Sequence, residues 1–263
     1  MCKNHRMNTD LQQLQDAAIE FAKAGGNSTL QYFNKSFDLQ FKGDKSPVTN
    51  ADRESEQIIR KLINEHFPGH GIIGEEFGVE NEENEIVWVL DPIDGTQSFI
   101  HGVPLYTTLI GILIKNKPKV GVIYAPATGE MVAAANGLGC SLNGEKCTVR
   151  TCNSLNDATF LSTEVSTFEA YGHSEAFNRL LDKSRIHRTW GDAYGHMLVA
   201  TGRADIMIDP VLSIWDAAAL LPVITEAGGS FSDLSGKETI STGNALSCNS
   251  LLKNEIVTIF SDK

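Results

Sequence analysis

Residues 86–90 (IVWVL) form a continuous apolar run that breaks off at Asp91-Pro92-Ile93-Asp94-Gly95-Thr96. An apolar run without polar alternation reads as a strand buried on both faces. Such a strand needs cover above and below, which implies a layered fold. Its carboxyl end delivers two carboxylates, with Pro92 stiffening the turn between them. Gly95 allows close backbone approach, and Thr96 can open a helical turn whose free N–H suits an anion such as phosphate. Two carboxylates beside that anion would repel it. A hard cation between them resolves the conflict, and oxygen ligands specify magnesium, calcium or manganese over zinc. Taken alone, the same segment can also be a strand-end turn with two solvated aspartates.

Other acids bear on that choice. Glu75 and Glu76 follow a short apolar strand, 71–74. Asp52 opens a helix in VTNAD, where capping is the competing role. Asp216 follows Trp215 at the start of an Ala/Leu/Ile helix, where it can simply complement the dipole. Four strand-end or helix-start acids in one chain favour a shared site. The 263 residues hold 33 acidic and 22 basic side chains, a net charge of −11. Without a run of Lys and Arg, such a chain repels nucleic acid.

The five cysteines (2, 140, 147, 152 and 248) contain no C-x-x-C pair, so reduced thiols are expected. No apolar leader or membrane-length stretch is read, and the expected compartment is the cytoplasm. His66 and His70 flank Pro68, which breaks any helix that could pair them on a metal. His101 and His196 are read as surface or supporting residues.

Periodicity predicts helices at 9–33 and 50–66, then strands at 71–74, 86–90, 107–114, 119–124, 130–135 and 138–149. Beyond residue 150 it predicts strands near 158–162, 186–189, 204–208, 230–232 and 256–260. Helices are expected near 173–182, 192–202 and 215–227, the last stopped by Gly228-Gly229. This divides the chain into an α+β half, 1–150, and an α/β half, 151–263.

Asp52, Gly74-Glu75-Glu76, DPIDGT (91–96) and Trp215-Asp216 occur in an order that resembles the inositol monophosphatase family, whose members are magnesium-dependent and lithium-sensitive. The resemblance covers about residues 10–260. Within the family, KGDKSPVTNAD (42–52), residues 91–112, GDAYGHMLVATGRADIMIDP (191–210) and IWDAAALLPVITEAGG (214–229) look most like the histidinol-phosphate phosphatase branch. Gln97 departs from that branch, which often has a basic residue there. WDAAAL lacks the early glycine usual in inositol-type enzymes.

The resemblance implies an α/β, sugar-phosphatase-type αβαβα sandwich, a homodimer, and a small phosphorylated substrate with no nucleic-acid or membrane partner. It implies two or three Mg²⁺ ions, with Mn²⁺ a possible substitute. Glu75, Asp91 and the Ile93 carbonyl would hold one, and Asp91, Asp94 and Asp216 a second. Asp52 and Thr96 would orient and deprotonate the attacking water, and the Gly95 and Thr96 amides would grip phosphate. Lys42 matches the family's mobile-loop lysine in KxDxSPVT, with a catalytic role, the alternative being a solvated surface lysine. Asp192 and Asp209 would wall the leaving-group pocket, with Asp94 and Asp216 beside it. Asp192 has a competing role as the N-cap of helix 192–202. No Cys, His or Ser sits in an evident nucleophile motif, which favours direct attack by water. Histidinol phosphate is the expected substrate. Inositol 1-phosphate, other sugar or nucleotide phosphates, and a regulatory binding role are the alternatives.

Overall fold

Leu11, Leu14, Ala18, Phe21 and Ala22 recur at helical spacing and are all buried, which sets the first helix against the sheet. The computed structural model describes residues 2–43 and 47–261; the Asp44-Lys45-Ser46 part of the KGDKSPVTN loop lies outside them. That helix, α1 (Cys2–Thr29), is followed by β1 (Leu39–Phe41), β2 (Pro47–Thr49) and α2 (Asn50–His66). Next come β3 (Gly71–Gly74), β4 (Gly78–Glu80), β5 (Ile86–Asp94), the short α3 (Thr96–Ile100) and β6 (Thr107–Ile114). Strands β7 (Lys117–Ala125), β8 (Glu130–Ala135), β9 (Gly139–Leu142) and β10 (Glu145–Lys146) complete an eight-stranded sheet of order β10-β9-β8-β7-β6-β5-β3-β4. Within it β3 and β5 run parallel, and the other pairs are antiparallel.

The remaining elements are β11 (Thr159–Ser162), α4 (Val165–Ala170), α5 (Ser174–Lys183), β12 (Ile186–Arg188), α6 (Asp192–Ala200) and β13 (Ile206–Asp209). They are followed by α7 (Ile214–Glu226), β14 (Ser230–Ser232), β15 (Ala245–Cys248) and α8 (Lys253–Ser261). Their sheet has five strands in the order β12-β11-β13-β15-β14.

Side-chain alternation along β5 explains the stacking. Trp88 and Leu90 pack with Phe21 and Ile59 from α1 and α2, whereas Val87 and Val89 pack with Ala218 of α7. The other side of the α6–α7 layer meets Leu161, Met207 and Phe231 of the second sheet. Phe160, Ile206 and Leu246 face α5 and α8 beyond it. The result is an αβαβα sandwich. Helix α7 lies unusually close to the first sheet. A Cβ on Gly121 would come within 2.1 Å of the Ala219 carbonyl oxygen, and one on Gly111 within 2.6 Å of the Ala218 Cβ.

The expected strand at 256–260 is instead helix α8, in which Ile256 and Ile259 are buried three residues apart. A short apolar run fits either period, and here packing on the second sheet selects the helical one. The true final strand is β15, which pairs with both β13 and β14. No helix among the described residues is long and apolar enough to cross a membrane.

Candidate active site

Asp91 and Asp94 are three residues apart, so a regular strand would send them to opposite faces. One extra residue on β5 corrects this: Asp91 stands opposite Leu109, and Asp94 opposite Thr107. Carboxylate oxygens of Asp91, Asp94 and Asp216 then lie within 4.8 Å of one another. Local bonds fix each one. The Ile93 amide donates to Asp91 Oδ1 at 3.0 Å. Asp94 Oδ2 accepts from the Thr107 hydroxyl (3.1 Å) and from the Ala193 amide at the start of α6 (2.7 Å). Asp216 is the third residue of α7, and its Oδ2 accepts the Ser213 amide at 2.6 Å.

Asp52 occupies the equivalent place in α2. It accepts the amide and hydroxyl of Thr49 at 2.7 and 2.6 Å, and the Thr49 hydroxyl accepts the Ala51 amide in return. Both acids therefore cap helices; Asp216 also lines the site, and Asp52 lies close enough to feel the charges of Glu75 and Glu76. The Glu75–Glu76 corner is held from α2 as well. Glu56 is fully buried, is paired with Arg60, and accepts the amides of Glu76 (2.8 Å) and Phe77 (3.2 Å). Neither Thr49 nor Glu56 was singled out from the sequence. The T-x-x-D spacing was a usable signal for Thr49, whereas nothing local marks Glu56.

A cavity of about 380 Å³ joins Lys42, Glu75, Asp91, Ile93, Asp94, Gly95, Thr96 and Asp216. A second, of about 280 Å³, shares Asp94 and Asp216 and extends to Asp192, Asp209, Thr163, Glu164 and Gln97. The sequence-predicted site residues thus line two cavities that share Asp94 and Asp216, except Asp52, which is buried and lines neither. A larger cavity of about 940 Å³, bordered by Val87, Leu113, Ile214 and Ile240, contains none of them.

The structure decides between two pairs of alternatives. Asp192 does not take the competing role of cap: Gly191 holds that position and Asp192 is the first helical residue of α6, with φ of +52°. Of the two histidines read as surface or supporting residues, His101 is exposed and His196 is fully buried.

The electrostatics are those of crowded carboxylates. Burial, then the charges of Glu75, Asp94 and Asp216, push Asp91 well above the usual carboxylate range. Burial and the charges of Asp192 and Asp216 do the same to Asp94. Burial lifts Asp216 to about 6, although the Ser213 amide holds it down. Burial with the charges of Asp209 and Asp216 lifts Asp192 to about 7. Burial raises Asp52 to about 7, against the bonds from Thr49. Lys42 lies 2.7 Å from Glu75 and 2.6 Å from Glu76. Burial works against its charge, but those two carboxylates hold its ammonium above the usual value.

Buried carboxylates with raised pKa values, an all-oxygen donor set and a lysine drawn onto Glu75 fit hard divalent cations. Strand-end carboxylates clustered on this sandwich, with the relatives described next, make the chain a phosphoric monoester hydrolase. The chain belongs to the inositol monophosphatase family, which it matches over residues 10–262. It is 41% identical to a histidinol-phosphatase from Chlorobaculum parvum, over 91% of this chain and 92% of that one. It is 35% identical to inositol monophosphatase 2 of Solanum lycopersicum, over 87% and 90% respectively. The structure superimposes on an inositol monophosphatase from Zymomonas mobilis with a TM-score of 0.86 and 30% identity, covering 95% and 98% of the two chains.

Proposed function

We propose that this enzyme is a Mg²⁺-dependent histidinol-phosphate phosphatase, releasing L-histidinol and inorganic phosphate. One observation carries the substrate reading. The cavity beside the metal-ligand cluster presents Asp192, Asp209 and Glu164, and among the described residues no Lys or Arg lines it. A leaving alcohol that bears an ammonium and an imidazole complements such a wall. The histidinol-phosphatase relative supports the same substrate.

Glu75, Asp91, Asp94, Asp216 and the Ile93 carbonyl would hold Mg²⁺, with Asp91 shared between two ions. The bound cations supply positive charge against the phosphoryl oxygens and the departing oxygen. The chain's own groups do the rest. The Gly95 and Thr96 amides orient the phosphate at the start of α3. The Thr96 hydroxyl donates to the Ile93 carbonyl at 3.0 Å. Its lone pairs are then left to accept a hydrogen bond from the attacking water. Asp52, lifted to about 7, is matched to taking up the one proton that the water loses near neutral pH. In this conformation Asp52 is bonded to Thr49 rather than to Thr96. Lys42 adds positive charge over Glu75.

The test is phosphate release from L-histidinol phosphate, inositol 1-phosphate and fructose 1,6-bisphosphate, with and without Mg²⁺. The highest kcat/KM is expected for histidinol phosphate, and none should turn over in excess EDTA. Preference for inositol 1-phosphate would overturn the substrate reading, and full turnover in EDTA would overturn the metal.

A further inference from the structure

His196 takes no part in the steps above, yet it is fully buried with both ring nitrogens engaged. Nδ1 lies 2.6 Å from Ser247 Oγ, and Nε2 lies 3.0 Å from Asp209 Oδ2. A carboxylate only accepts, so Nε2 carries the hydrogen. In the neutral ring Nδ1 then accepts the Ser247 hydroxyl proton, and every donor in the line has an acceptor. The line resembles a nucleophilic triad in composition. It cannot act as one, because Ser247 is fully buried.

Its outer end is the working end. Asp209 opens into the 280 Å³ cavity. Its other oxygen, Oδ1, accepts the Thr163 hydroxyl at 2.6 Å, and Thr163 Oγ1 in turn accepts the Asp192 amide at 2.7 Å. Asp192 needs that bond. Its φ of +52° is a region that side chains with a Cβ seldom adopt, and tertiary contacts must hold it there. So held, the Asp192 carboxylate reaches over the phosphate loop. A Cβ on Gly95 would come within 2.9 Å of Asp192 Oδ2.

We propose that His196 is a positioning residue for the leaving group. It fixes the Asp209 carboxylate and, through Thr163, the left-handed Asp192 turn, so that two acidic groups meet the departing alcohol in one geometry. This rests on reading the 280 Å³ cavity as the leaving-group site. The spare lone pairs of both carboxylates suit an alcohol with several N–H donors.

The two side-chain amides separate the ends of the ring. In His196→Gln the amide nitrogen falls near Nε2 and keeps the donor to Asp209. In His196→Asn it falls near Nδ1 and keeps only the Ser247 side. Thr163→Val removes the next link at a half-buried position, where folding is less at risk. Each purified full-length variant is melted, then assayed at saturating Mg²⁺ on the phosphomonoester for which the wild type has the highest kcat/KM. His196→Asn and Thr163→Val should raise KM roughly tenfold while kcat changes less than about threefold. His196→Gln should return KM to within about threefold of wild type. Unchanged KM in Thr163→Val, or His196→Gln no better than His196→Asn, would overturn the proposal. So would a fall in kcat with KM unchanged. If His196→Asn does not fold, the Thr163→Val result decides. If the wild type prefers an ester other than histidinol phosphate, the substrate reading fails. The KM comparison on that ester still tests His196.

Discussion

Stripped of divalent cations, this enzyme should be destabilised by its own active site as pH rises. Asp216 and Asp192 have folded-state pKa values of about 6 and 7, above the usual carboxylate value of 3.8. A raised carboxylate binds its proton more tightly in the folded state than in the unfolded one. Its stabilising contribution is therefore complete below about pH 4 and is lost as pH climbs through the folded value. Between pH 5 and 7.5, Asp216 forfeits about one pK unit and Asp192 about two. At about 1.4 kcal/mol per unit, the pair loses on the order of 4 kcal/mol. Histidines complicate a single melt, because burial lowers His70, His173 and His187 and so favours the fold as pH rises. The comparison is therefore wild type against Asp192→Asn/Asp216→Asn, both in EDTA, since the histidines are common to both. The variant's advantage should grow by about 4 kcal/mol across that range, or roughly 8–16 °C in Tm for a chain of this size. Adding saturating Mg²⁺ should offset the carboxylate contribution in the wild type, narrowing the growth of the variant's advantage with pH. An advantage that stayed constant from pH 5 to 7.5 would refute the reasoning.

Three further outcomes are expected. Asp91→Asn should cut turnover by about a thousandfold or more, because Asp91 is the proposed shared ligand of two cations; near wild-type phosphate release at ordinary Mg²⁺ would remove that assignment. Asp192→Asn should lower kcat/KM for histidinol phosphate about ten- to hundredfold and change p-nitrophenyl phosphate hydrolysis far less; equal loss on both substrates would mean that Asp192 supports the metal-ligand cluster instead. Among Cys140, Cys147, Cys152 and Cys248, Cys147 should be alkylated first by iodoacetamide. It is half-buried, and contact with Cys140 Sγ at 3.5 Å lowers its thiol pKa, helped by Arg203. Peptide mapping that found Cys152 or Cys248 modified earlier would contradict this.

What the sequence made legible follows from where its signals are local. β5 was readable because burial on both faces leaves an unbroken apolar run, and Asp91 and Asp94 stood at its end. Asp52 and Asp216 were readable because helix starts have their own spacing. The bulge that turns Asp91 and Asp94 to one side was not, since it is a property of pairing with β6. His196, Thr163 and Ser247 were also hidden. They meet through contacts 13 to 51 residues apart in the chain, and nothing beside them in sequence marks the line. Asp192 looked like a cap because it begins a helix, whereas its left-handed backbone depends on a hydroxyl 29 residues away. At the carboxyl end a local pattern misled, because Ile256 and Ile259 suit either a strand or a helix until the second sheet chooses.

The two capping acids have a consequence for how such an enzyme can change. Asp52 and Asp216 each close the first turn of a long helix, so the fold retains a use for them even if no phosphate is ever cleaved. Loss of such a cap costs about 1 kcal/mol. Asp91 caps no helix, and Asp94 takes up a single first-turn amide of α6 from outside that helix; without cations, burial and their mutual repulsion oppose both charges. A descendant freed from hydrolysis could replace Asp91 with any neutral side chain of similar size, whereas at Asp52 or Asp216 only a residue that still caps, such as Asn, would keep the helix start. Decay of the activity would therefore leave its freest mark at the end of β5, while the two helix-start positions stayed confined to capping residues.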